Sequence, residues 1–352
     1  MGHLRRKIIA GIKLLSRKLT GRTAPLELNI HITDKCNLKC TYCYSNFYKR
    51  HNADIPKEQI CRIVDAFADM GVIEVSLIGG EPFLHPEFDE IVDYIRAKDL
   101  FCSTVTNGYY LKRSIETAKK FDMICISIDG PENLNDITRG PGSYRRAIEG
   151  LQLLRDNNIN RSIRTTLQKH NLESVEDMMK LGNEYGAILN FGLLFPQSSA
   201  DGEVKAISSD TPDDAAYRKT LMKIINLKKK YPGRFFNSLP NFMNALNWPA
   251  GYKRFFLFKD ELPEFPSFKP IPCFGGRSFA TVDTDGKLYP CTNLIGYYDA
   301  PNVLTMDVRE AWDSLKTHSC SSCFYLSSVE KNLVSNFNIN ALLNLLKVKR
   351  IR

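Results

Sequence analysis

The chain has 352 residues, 43% of them hydrophobic, which is enough for one large domain with a smaller one beside it. No stretch reaches the ~20 apolar residues that a membrane-spanning helix needs, and the charged N-terminus does not resemble a secretory signal. The net charge of +9 is uneven, because residues 1–22 carry +7 and residues 339–352 carry +4, which leaves about −2 for the remainder. A mildly acidic body argues against a nucleic-acid-binding domain. Ten cysteines without a secretory signal favour a reducing compartment, so we expect a cytoplasmic protein.

Between residues 26 and 196, strand-like and helix-like stretches alternate. The predicted strands span residues 26–33, 72–78, 102–106, 123–128, 162–167 and 188–195. The predicted helices span residues 56–70, 86–98, 111–120, 144–157 and 174–186, and another follows over residues 211–230. Ser174, with Asp177 three residues later, predicts a capped helix start. Repeated βα units imply a parallel sheet with right-handed crossovers, and six of them predict an α/β fold, a partial (β/α)6 barrel of the TIM type.

Three cysteines follow the first predicted strand in the pattern C-x3-C-x2-C: Cys36, Cys40 and Cys43. Thiolates are the ligands of iron–sulfur clusters, and three of them can hold three irons of a 4Fe–4S cube while the fourth iron stays open. An open position is what a catalytic metal site needs. The alternative is a zinc site, which needs a fourth ligand. His31 and His51 are near in sequence, but neither gives a usual zinc spacing.

With Tyr42 directly before the last cysteine, this motif resembles that of the radical S-adenosylmethionine (radical SAM) superfamily. The resemblance implies that SAM binds the open iron through its amino and carboxylate groups. It also implies that one electron from the cluster splits SAM, and that the resulting 5′-deoxyadenosyl radical takes hydrogen from the substrate. A reductant such as flavodoxin or ferredoxin would supply the electron. The partial barrel is the core fold of the same superfamily.

A second motif, Gly79-Gly80-Glu81-Pro82, follows the second predicted strand and resembles the GGEP motif of that superfamily. By this resemblance its backbone and carboxylate meet the ammonium group of SAM, and its glycines permit close backbone approach. The GGEP motif and the cysteine loop both follow strand ends, which form the catalytic face of β/α barrels. We therefore expect these residues to converge on one face.

Further SAM contacts are expected at Tyr42, Asn107 and Ser127. The resemblance places Tyr42 by the adenine, whereas Asn107 and Ser127 could contact the ribose or the carboxylate. Simple turn or surface roles stay open for Asn107 and Ser127. Arg139, expected in a loop, could pair with the SAM carboxylate. No general acid or base is identified, because the sequence gives no geometry for the substrate.

Four more cysteines follow the pattern C-x17-C-x28-C-x2-C: Cys273, Cys291, Cys320 and Cys323. Residues 280–290 contain two apolar stretches around an Asp-Gly pair, which predicts a hairpin that brings the first two cysteines together. A short helix over residues 307–316 would deliver the last two. Four thiolates can ligate a second 4Fe–4S cluster completely. A zinc ribbon with four cysteine ligands is the alternative.

This region resembles the SPASM extension of radical SAM proteins in its shortened twitch form. The resemblance rests on the hairpin, the Asn302-Val303 pair, Trp312 and the final C-x2-C. The full SPASM pattern has seven cysteines and two auxiliary clusters, so four cysteines imply one cluster. A fully ligated cluster has no site for a substrate, and its expected role is electron transfer to or from a substrate radical.

The sequence divides into five predicted parts. They are a basic amphipathic N-terminal segment (1–25), the barrel (26–230), a connector (231–272), the auxiliary-cluster domain (273–323) and a basic amphipathic C-terminal helix (324–352). The connector is rich in Phe and Pro and is expected to pack against the barrel. Both ends place apolar residues at helical spacing among basic ones. This pattern is typical of helices at a membrane interface and equally of helices that pack on a barrel.

The main hypothesis is a radical SAM enzyme that acts on a small metabolite, sugar or lipid, with one auxiliary cluster for electron transfer. The alternative is a SPASM-type maturase that modifies a peptide. Such maturases often carry an N-terminal peptide-recognition domain, for which the short segment before the first predicted strand leaves no room; a separate protein could supply one. A third hypothesis, a non-catalytic iron–sulfur or zinc scaffold, is disfavoured by the combination of the cysteine and GGEP motifs.

Overall fold

A sheet of eight strands forms the centre of the fold in the computed structural model, which describes residues 24–194, 210–315 and 320–348. Six of its strands follow one another along the chain: β1 (Glu27–His31), β2 (Glu74–Ile78), β3 (Phe101–Thr106), β4 (Met123–Ser127), β5 (Arg161–Leu167) and β6 (Ile188–Leu193). Each strand pairs in parallel with the next. The predicted α/β partial barrel is therefore confirmed, and the strand bounds lie close to the predicted ones.

Helices connect these strands on the outer face of the sheet. They are α1 (Lys57–Asp69), α2 (Phe88–Ala97), α3 (Ile115–Ala118), α4 (Glu132–Arg139), α5 (Ser143–Asp156) and α6 (Val175–Tyr185). Ile63 of α1 and Leu151 of α5 are fully buried, in the same apolar core as Leu28 and Ile126 of the strands. Burial of this outer face is what holds the helices on the sheet.

Three local predictions are wrong. The helix predicted over residues 111–120 is reduced to α3, because residues 109–114 form turns. Helix α4 was not predicted, since its sequence is almost entirely polar and lacks an apolar stripe. Ser174 does not cap α6, because its hydroxyl donates a hydrogen bond to the Asn171 carbonyl over 2.7 Å instead.

The inner face of the sheet, opposite the helices, is polar. In-register partners across β1–β3 are Asn29, Ser76 and Ser103. Ser127 and Arg164 are paired across β4 and β5, and Arg164 in turn pairs with Asn190 of β6. Val105, on the same inner face, is 37% exposed. A polar and partly open interior is suited to hold a ligand rather than to act only as a packed core.

The C-terminal third extends the same sheet. Strand β8 (Phe279–Val282) pairs in parallel with β1, and β9 (Leu288–Tyr289) returns antiparallel to β8, as the predicted hairpin requires. A separate pair joins the connector to the last cysteine motif, because β7 (Phe256–Leu257) lies antiparallel to β10 (Ser322–Cys323). The auxiliary cysteines are therefore carried by elements that are hydrogen-bonded to the barrel or to the connector.

The remaining helices complete the C-terminal part. They are α7 (Asp214–Lys230), α8 (Leu239–Leu246), α9 (Val308–Ser314), α10 (Leu326–Ser335) and α11 (Ile339–Val348). Short 3-10 turns span Phe47–Lys49, Pro82–Leu84, Leu172–Ser174, Pro232–Arg234, Lys259–Glu264 and Thr292–Leu294.

The prediction of one C-terminal helix is wrong, since the chain turns between α10 and α11, where Phe337 has a φ of 56°. Within the described ranges, no helix combines the length and apolarity that crossing a bilayer requires.

The connector packs against the barrel as expected. Phe235 is fully buried and forms a bridge to Leu189 of β6, and Phe255 is also buried. Helix α8 lies within this stretch and was not predicted from its sequence. The N-terminal segment of residues 1–25 lies outside the described residues except for its last two, so its predicted helix is not addressed.

A buried polar link joins the end of β1 to the hairpin between β8 and β9. Asp283 accepts hydrogen bonds from His31 Nδ1 at 3.0 Å and from the Arg50 guanidinium at 2.9 Å. Arg50 also lies 3.3 Å from Asp34, which accepts a hydrogen bond from Thr284. Burial alone would raise the pKa of Asp283, but the hydrogen bonds and the Arg50 charge hold it well below its ordinary value. The link therefore ties the hairpin to the cysteine loop region in its ionised form.

Replacing this carboxylate should separate the two parts. We expect Asp283→Asn to lower the free energy of unfolding by about 3 kcal/mol at neutral pH, because breaking a buried ion pair leaves a charge without its partner. The lowered pKa means that the ionised pair stabilises the fold above the ordinary value of 3.8 and that this stabilisation is lost as the pH falls below it. Chemical denaturation at a series of pH values measures both effects.

The matched control is Asp299→Asn, whose side chain is 94% exposed in its ion pair with Lys287. It should change the free energy of unfolding by less than about 0.5 kcal/mol. Equal stabilities of the Asp283→Asn and wild-type proteins at neutral pH would show that the link does not hold the hairpin.

Candidate active site

The cysteine loop lies directly after β1, and its three thiols lie close to one another. Burial raises the pKa of Cys36 to about 12 and that of Cys40 to about 11. The neighbouring Cys40 and Cys43 thiols also contribute to the raised pKa of Cys36. The Arg139 guanidinium acts in the opposite direction on Cys40. Three partly buried thiols that repel each other as thiolates would be stabilised by coordination to an iron–sulfur cluster, because a coordinating thiol is deprotonated.

The GGEP motif holds this loop by its backbone. Gly80 N donates to the Thr33 carbonyl and Glu81 N donates to the Lys35 carbonyl, both over 2.8 Å. A Cβ atom on Gly79 would lie 2.5 Å from the Thr33 oxygen, and one on Gly80 would lie 2.3 Å from the Lys35 oxygen. The sequence correctly indicates close backbone approach, but in the structure the neighbour that requires glycine is the cysteine loop itself. Pro82 then begins the short turn that follows.

Glu81 is buried directly behind this contact. Its carboxylate accepts hydrogen bonds from Thr106 Oγ1 and Asn107 N, both at 2.8 Å, and from Phe83 N at 3.3 Å. Burial outweighs these hydrogen bonds and raises its pKa to about 7. Among the described residues, no Lys, Arg or His forms an ion pair with Glu81. A buried carboxylate of this kind fits a cationic ligand such as the ammonium group of SAM.

Asn107 joins the same group. Its Nδ2 donates to Asn37 Oδ1 at 2.8 Å, so the end of β3 also contacts the cysteine loop. The predicted residues Cys36, Glu81 and Asn107 are therefore brought together at the carboxyl ends of β1–β3. Ser127, at the end of β4, is half-buried on the inner face of the sheet. No SAM contact of these residues is tested by the geometry alone, and their roles stay predictions.

A second anchor fixes the loop from the side of α4. Asp129 Oδ2 accepts hydrogen bonds from Tyr42 OH and Arg139 Nε, both at 2.6 Å, and the Arg139 guanidinium also contacts the Tyr42 hydroxyl. Thr41 N donates to the Thr138 carbonyl over 3.0 Å. Arg139, which the sequence places in a loop, is the last residue of α4 and is almost fully buried. Its Asp129 partner could not be foreseen, because the pairing depends on the unpredicted helix.

Arg164 is a site residue that the sequence analysis missed. Its guanidinium donates to Asn190 Oδ1 at 2.7 Å and to Ser327 Oγ at 3.0 Å, on the inner face of the sheet. A Cβ atom on Gly192 would lie 2.3 Å from this guanidinium. Because glycine has no Cβ, the Arg164 guanidinium can occupy this space. Within the part of the chain that the structure describes, no carboxylate pairs with Arg164. The available signal was a charged residue inside an otherwise strand-like stretch.

The four C-terminal cysteines are buried, and the thiols of Cys273 and Cys320 are hydrogen-bonded to each other. A hydrogen bond from the Cys320 thiol lowers the pKa of Cys273 to about 7, while burial raises that of Cys291 to about 12. The pKa of Cys323 is raised by burial and by the charges of Cys273 and Cys291. Gly275 N donates to Cys273 Sγ at 3.4 Å. The hairpin and the final C-x2-C thus place the four cysteines in one region of the fold, and their action as a single ligand set stays a prediction.

The cysteine groups differ in their arrangement from a site for a single metal ion. Over residues 24–194, 210–315 and 320–348, no three His, Cys, Asp or Glu side chains are arranged to hold one metal ion. The two cysteine groups fit iron–sulfur clusters by their donor sets, which are thiols alone. The assignment of two clusters to these seven cysteines stays a prediction.

Comparison with known proteins identifies the N-terminal part. Residues 30–182 match the model of the radical SAM superfamily. Residues 30–182 therefore form a radical SAM domain. The matched residues begin in β1 and end in α6, so they include the cysteine loop, the GGEP motif and the α4 anchor. The predicted radical SAM fold is thereby confirmed for these residues.

Several relatives carry the same core. The mycofactocin maturase MftC of Mycobacterium ulcerans is 31% identical over 189 residues, which are 52% of this chain and 51% of that protein. The chain therefore spans about half the length of this relative. The AdoMet-dependent heme synthase of Methanosarcina barkeri is 26% identical over 306 residues, which are 83% of each protein.

A solved structure is similar in fold. The crystal structure of Streptococcus suis SuiB bound to its precursor peptide SuiA superposes with a TM-score of 0.63 and 18% identity. The match covers 86% of this chain and 69% of SuiB. The likeness of fold therefore covers more of the chain than residues 30–182.

The contact between the GGEP motif and the cysteine loop can be tested with a single methyl group. Gly80→Ala would place a Cβ against the Lys35 carbonyl, and we expect it to lower the free energy of unfolding by about 1–3 kcal/mol. The loop should also shift, so the anaerobically reconstituted variant should bind less iron. Denaturation and iron analysis measure the two effects.

Gly233→Ala is the control for this change. A Cβ at Gly233 would meet its nearest neighbour, the Lys347 carbonyl, at an ordinary 3.7 Å. This variant should keep both the stability and the iron content of the wild type. If Gly80→Ala behaves in the same way, the backbone contact does not position the loop.

Proposed function

We propose that this chain is a radical SAM enzyme that cleaves SAM at a cluster on Cys36, Cys40 and Cys43 and takes hydrogen from a substrate at the inner face of the barrel. The observation that carries the proposal is the position of Glu81. It is a buried carboxylate without a cationic partner among the described residues, and it lies behind the loop that carries the three thiols. The match of residues 30–182 to the radical SAM superfamily supports the same assignment.

When bound, the cluster supplies the electron that splits SAM into methionine and a 5′-deoxyadenosyl radical. The three thiols would hold three of the irons, and Glu81 would bind the ammonium group of SAM. Asn107 and Asp129 keep the loop in place from opposite sides, through Asn37 and Tyr42. The polar inner face, with Ser127 and Arg164, would bind and orient the substrate. Orientation is what allows a reactive radical to choose one hydrogen.

For the C-terminal cysteines we propose an auxiliary 4Fe–4S cluster. Cys273, Cys291, Cys320 and Cys323 supply four thiols, which leaves no position for a substrate. Tyr325, two residues after Cys323, lies within 3.4 Å of the Arg164 guanidinium through its hydroxyl. The auxiliary site therefore adjoins the inner face, where an electron could be exchanged with a substrate radical. A reductant such as flavodoxin or ferredoxin would reduce the first cluster.

A peptide is the substrate class that we favour. The main hypothesis from the sequence, a small metabolite, sugar or lipid, is less well supported than the maturase alternative. A relative at 31% identity is named as a maturase, and the similar SuiB structure contains a precursor peptide. Both likenesses are partial, since they cover 51% and 69% of those proteins. They support a peptide-modifying reaction as the proposed function.

A second candidate is a small-molecule substrate. The similarity to the AdoMet-dependent heme synthase spans 83% of both proteins, which is a more complete overlap than that with the maturase. Arg164 suits a negatively charged group in either class, because a guanidinium pairs well with a carboxylate. The two candidates differ in the size and chemistry of the molecule that donates hydrogen.

Hydrogen transfer can distinguish them without knowledge of the substrate. The native host would be grown in deuterated medium, and its extract separated into a peptide fraction and a small-molecule fraction. Incubation with the reconstituted protein, unlabelled SAM and reductant should give 5′-deoxyadenosine that carries deuterium from the peptide fraction. Prior protease treatment should remove that label. Mass spectrometry of 5′-deoxyadenosine is the measurement.

Two cysteine variants serve as controls. Cys40→Ser should produce no 5′-deoxyadenosine, whereas Cys61→Ser, which changes a partly buried thiol outside both groups, should resemble the wild type. If 5′-deoxyadenosine gains deuterium only from the small-molecule fraction, and protease treatment does not remove this label, the substrate is a small molecule and the peptide proposal is wrong. If the wild-type protein forms no 5′-deoxyadenosine, the proposal that it is a radical SAM enzyme is wrong.

A further inference from the structure

Helix α11 has an apolar face without a partner among the described residues. Ile339 is 71% exposed, Leu343 is 47% exposed and Leu346 is 63% exposed. Their spacing of i, i+4 and i+7 places them on one side of the helix. The opposite side is buried through Ala341, Asn344 and Val348. Asn344 makes hydrogen bonds to Lys228 and to the Phe236 carbonyl, so α11 is held in place while its apolar face points outward.

Basic and aromatic residues lie just before a turn that contacts the C-terminal end of this helix. Helix α7 ends with the exposed Lys229 and Lys230, and Tyr231 follows with 39% exposure. Lys230 Nζ lies 5.2 Å from the centre of the Tyr231 ring. The turn that follows contacts the end of α11, since a Cβ on Gly233 would lie 3.7 Å from the Lys347 carbonyl. We name these residues, together with the exposed face of α11, the basic apolar patch.

Charge favours one kind of partner for the patch. Helix α11 contains no acidic residue, and in the sequence it is followed by Lys349, Arg350 and Arg352. Residues 1–22 carry +7 and have their own apolar spacing, so their like charge disfavours them as a cover for the patch. An anionic surface would attract both ends of the chain. Apolar side chains bordered by Lys and Tyr are the composition of surfaces that lie in a membrane interface.

We propose that the basic apolar patch docks this protein on the surface of a membrane that contains anionic lipids. The apolar face of α11 enters the boundary between headgroups and acyl chains, while Lys229, Lys230 and Lys347 remain among the headgroups. Tyr231 lies at the boundary, with its ring in the apolar layer and its hydroxyl in water. The docking is peripheral and does not depend on the proposed reaction or on a bound cluster.

Vesicle flotation tests this proposal with the full-length protein. The probes are vesicles of phosphatidylcholine alone and vesicles of phosphatidylcholine with phosphatidylglycerol. We expect flotation with the anionic vesicles at low salt, and at least about ten-fold less with neutral vesicles or at high salt, because basic attraction is screened. A variant with Ile339→Gln, Leu343→Gln and Leu346→Gln should lose about ten-fold of its binding to anionic vesicles.

Matched variants separate the patch from other surfaces. Ile137→Gln changes an exposed apolar residue on another helix, and it should float like the wild type. Circular dichroism should show the same thermal unfolding for both variants, since the buried side of α11 is unchanged. SAM cleavage should also be unaffected, which separates this proposal from the proposed function.

Three outcomes would overturn the proposal. The wild type could fail to float with anionic vesicles at low salt. The patch variant could float like the wild type while a Leu15→Gln, Leu19→Gln variant does not, which would assign binding to the N-terminal segment. Alternatively, light scattering could reveal a dimer that only the patch variant dissociates, without vesicle binding, which would make the patch an interface between two copies.

Discussion

The close backbone contact between residues 79–81 and residues 33–35 is the constraint on which the rest of the site depends. Two main-chain hydrogen bonds fix the start of the cysteine loop against the end of β2, and no Cβ fits at either glycine. The same contact buries Glu81 beneath the loop. One local arrangement thus places the three thiols and the buried Glu81 carboxylate close to each other.

Two buried ion pairs extend this constraint to the rest of the molecule. Arg139 and Asp129 hold Tyr42 and so connect the loop to α4. Asp283 of the C-terminal hairpin pairs with Arg50 and also accepts a hydrogen bond from His31 at the end of β1. Cys291 directly follows the hairpin, so the contacts of Asp283 connect the region of the first cysteine loop with the region of the C-terminal cysteines. Removing one partner of such a pair leaves a buried charge, which is far more costly than losing an exposed pair. The C-terminal cysteine region is therefore joined to the barrel by strand pairing and by buried ion pairs.

The sequence predicts what depends on local pattern and misses what depends on long-range pairing. Alternating apolar stretches predict the six parallel strands, and the spacing of cysteines around an Asp-Gly turn predicts that four distant thiols meet. Helix α4 was missed because its sequence lacks an apolar stripe, and its contact with the site through Arg139 depends on the distant Tyr42. Arg164 was missed because its significance lies in its register with Ser127 and in the room left by Gly192. The glycines of the GGEP motif were found, but only coordinates reveal which backbone they approach.

The central claim is that three thiols on the first loop hold a cluster with one open iron that binds SAM. The most direct test is electron paramagnetic resonance of the reduced, anaerobically reconstituted Cys273→Ala protein, in which only the first cluster should remain. Addition of SAM should change the g values of that cluster, because SAM becomes a ligand of the open iron. A spectrum that SAM leaves unchanged, or a colourless protein that holds zinc in place of iron, would contradict the account.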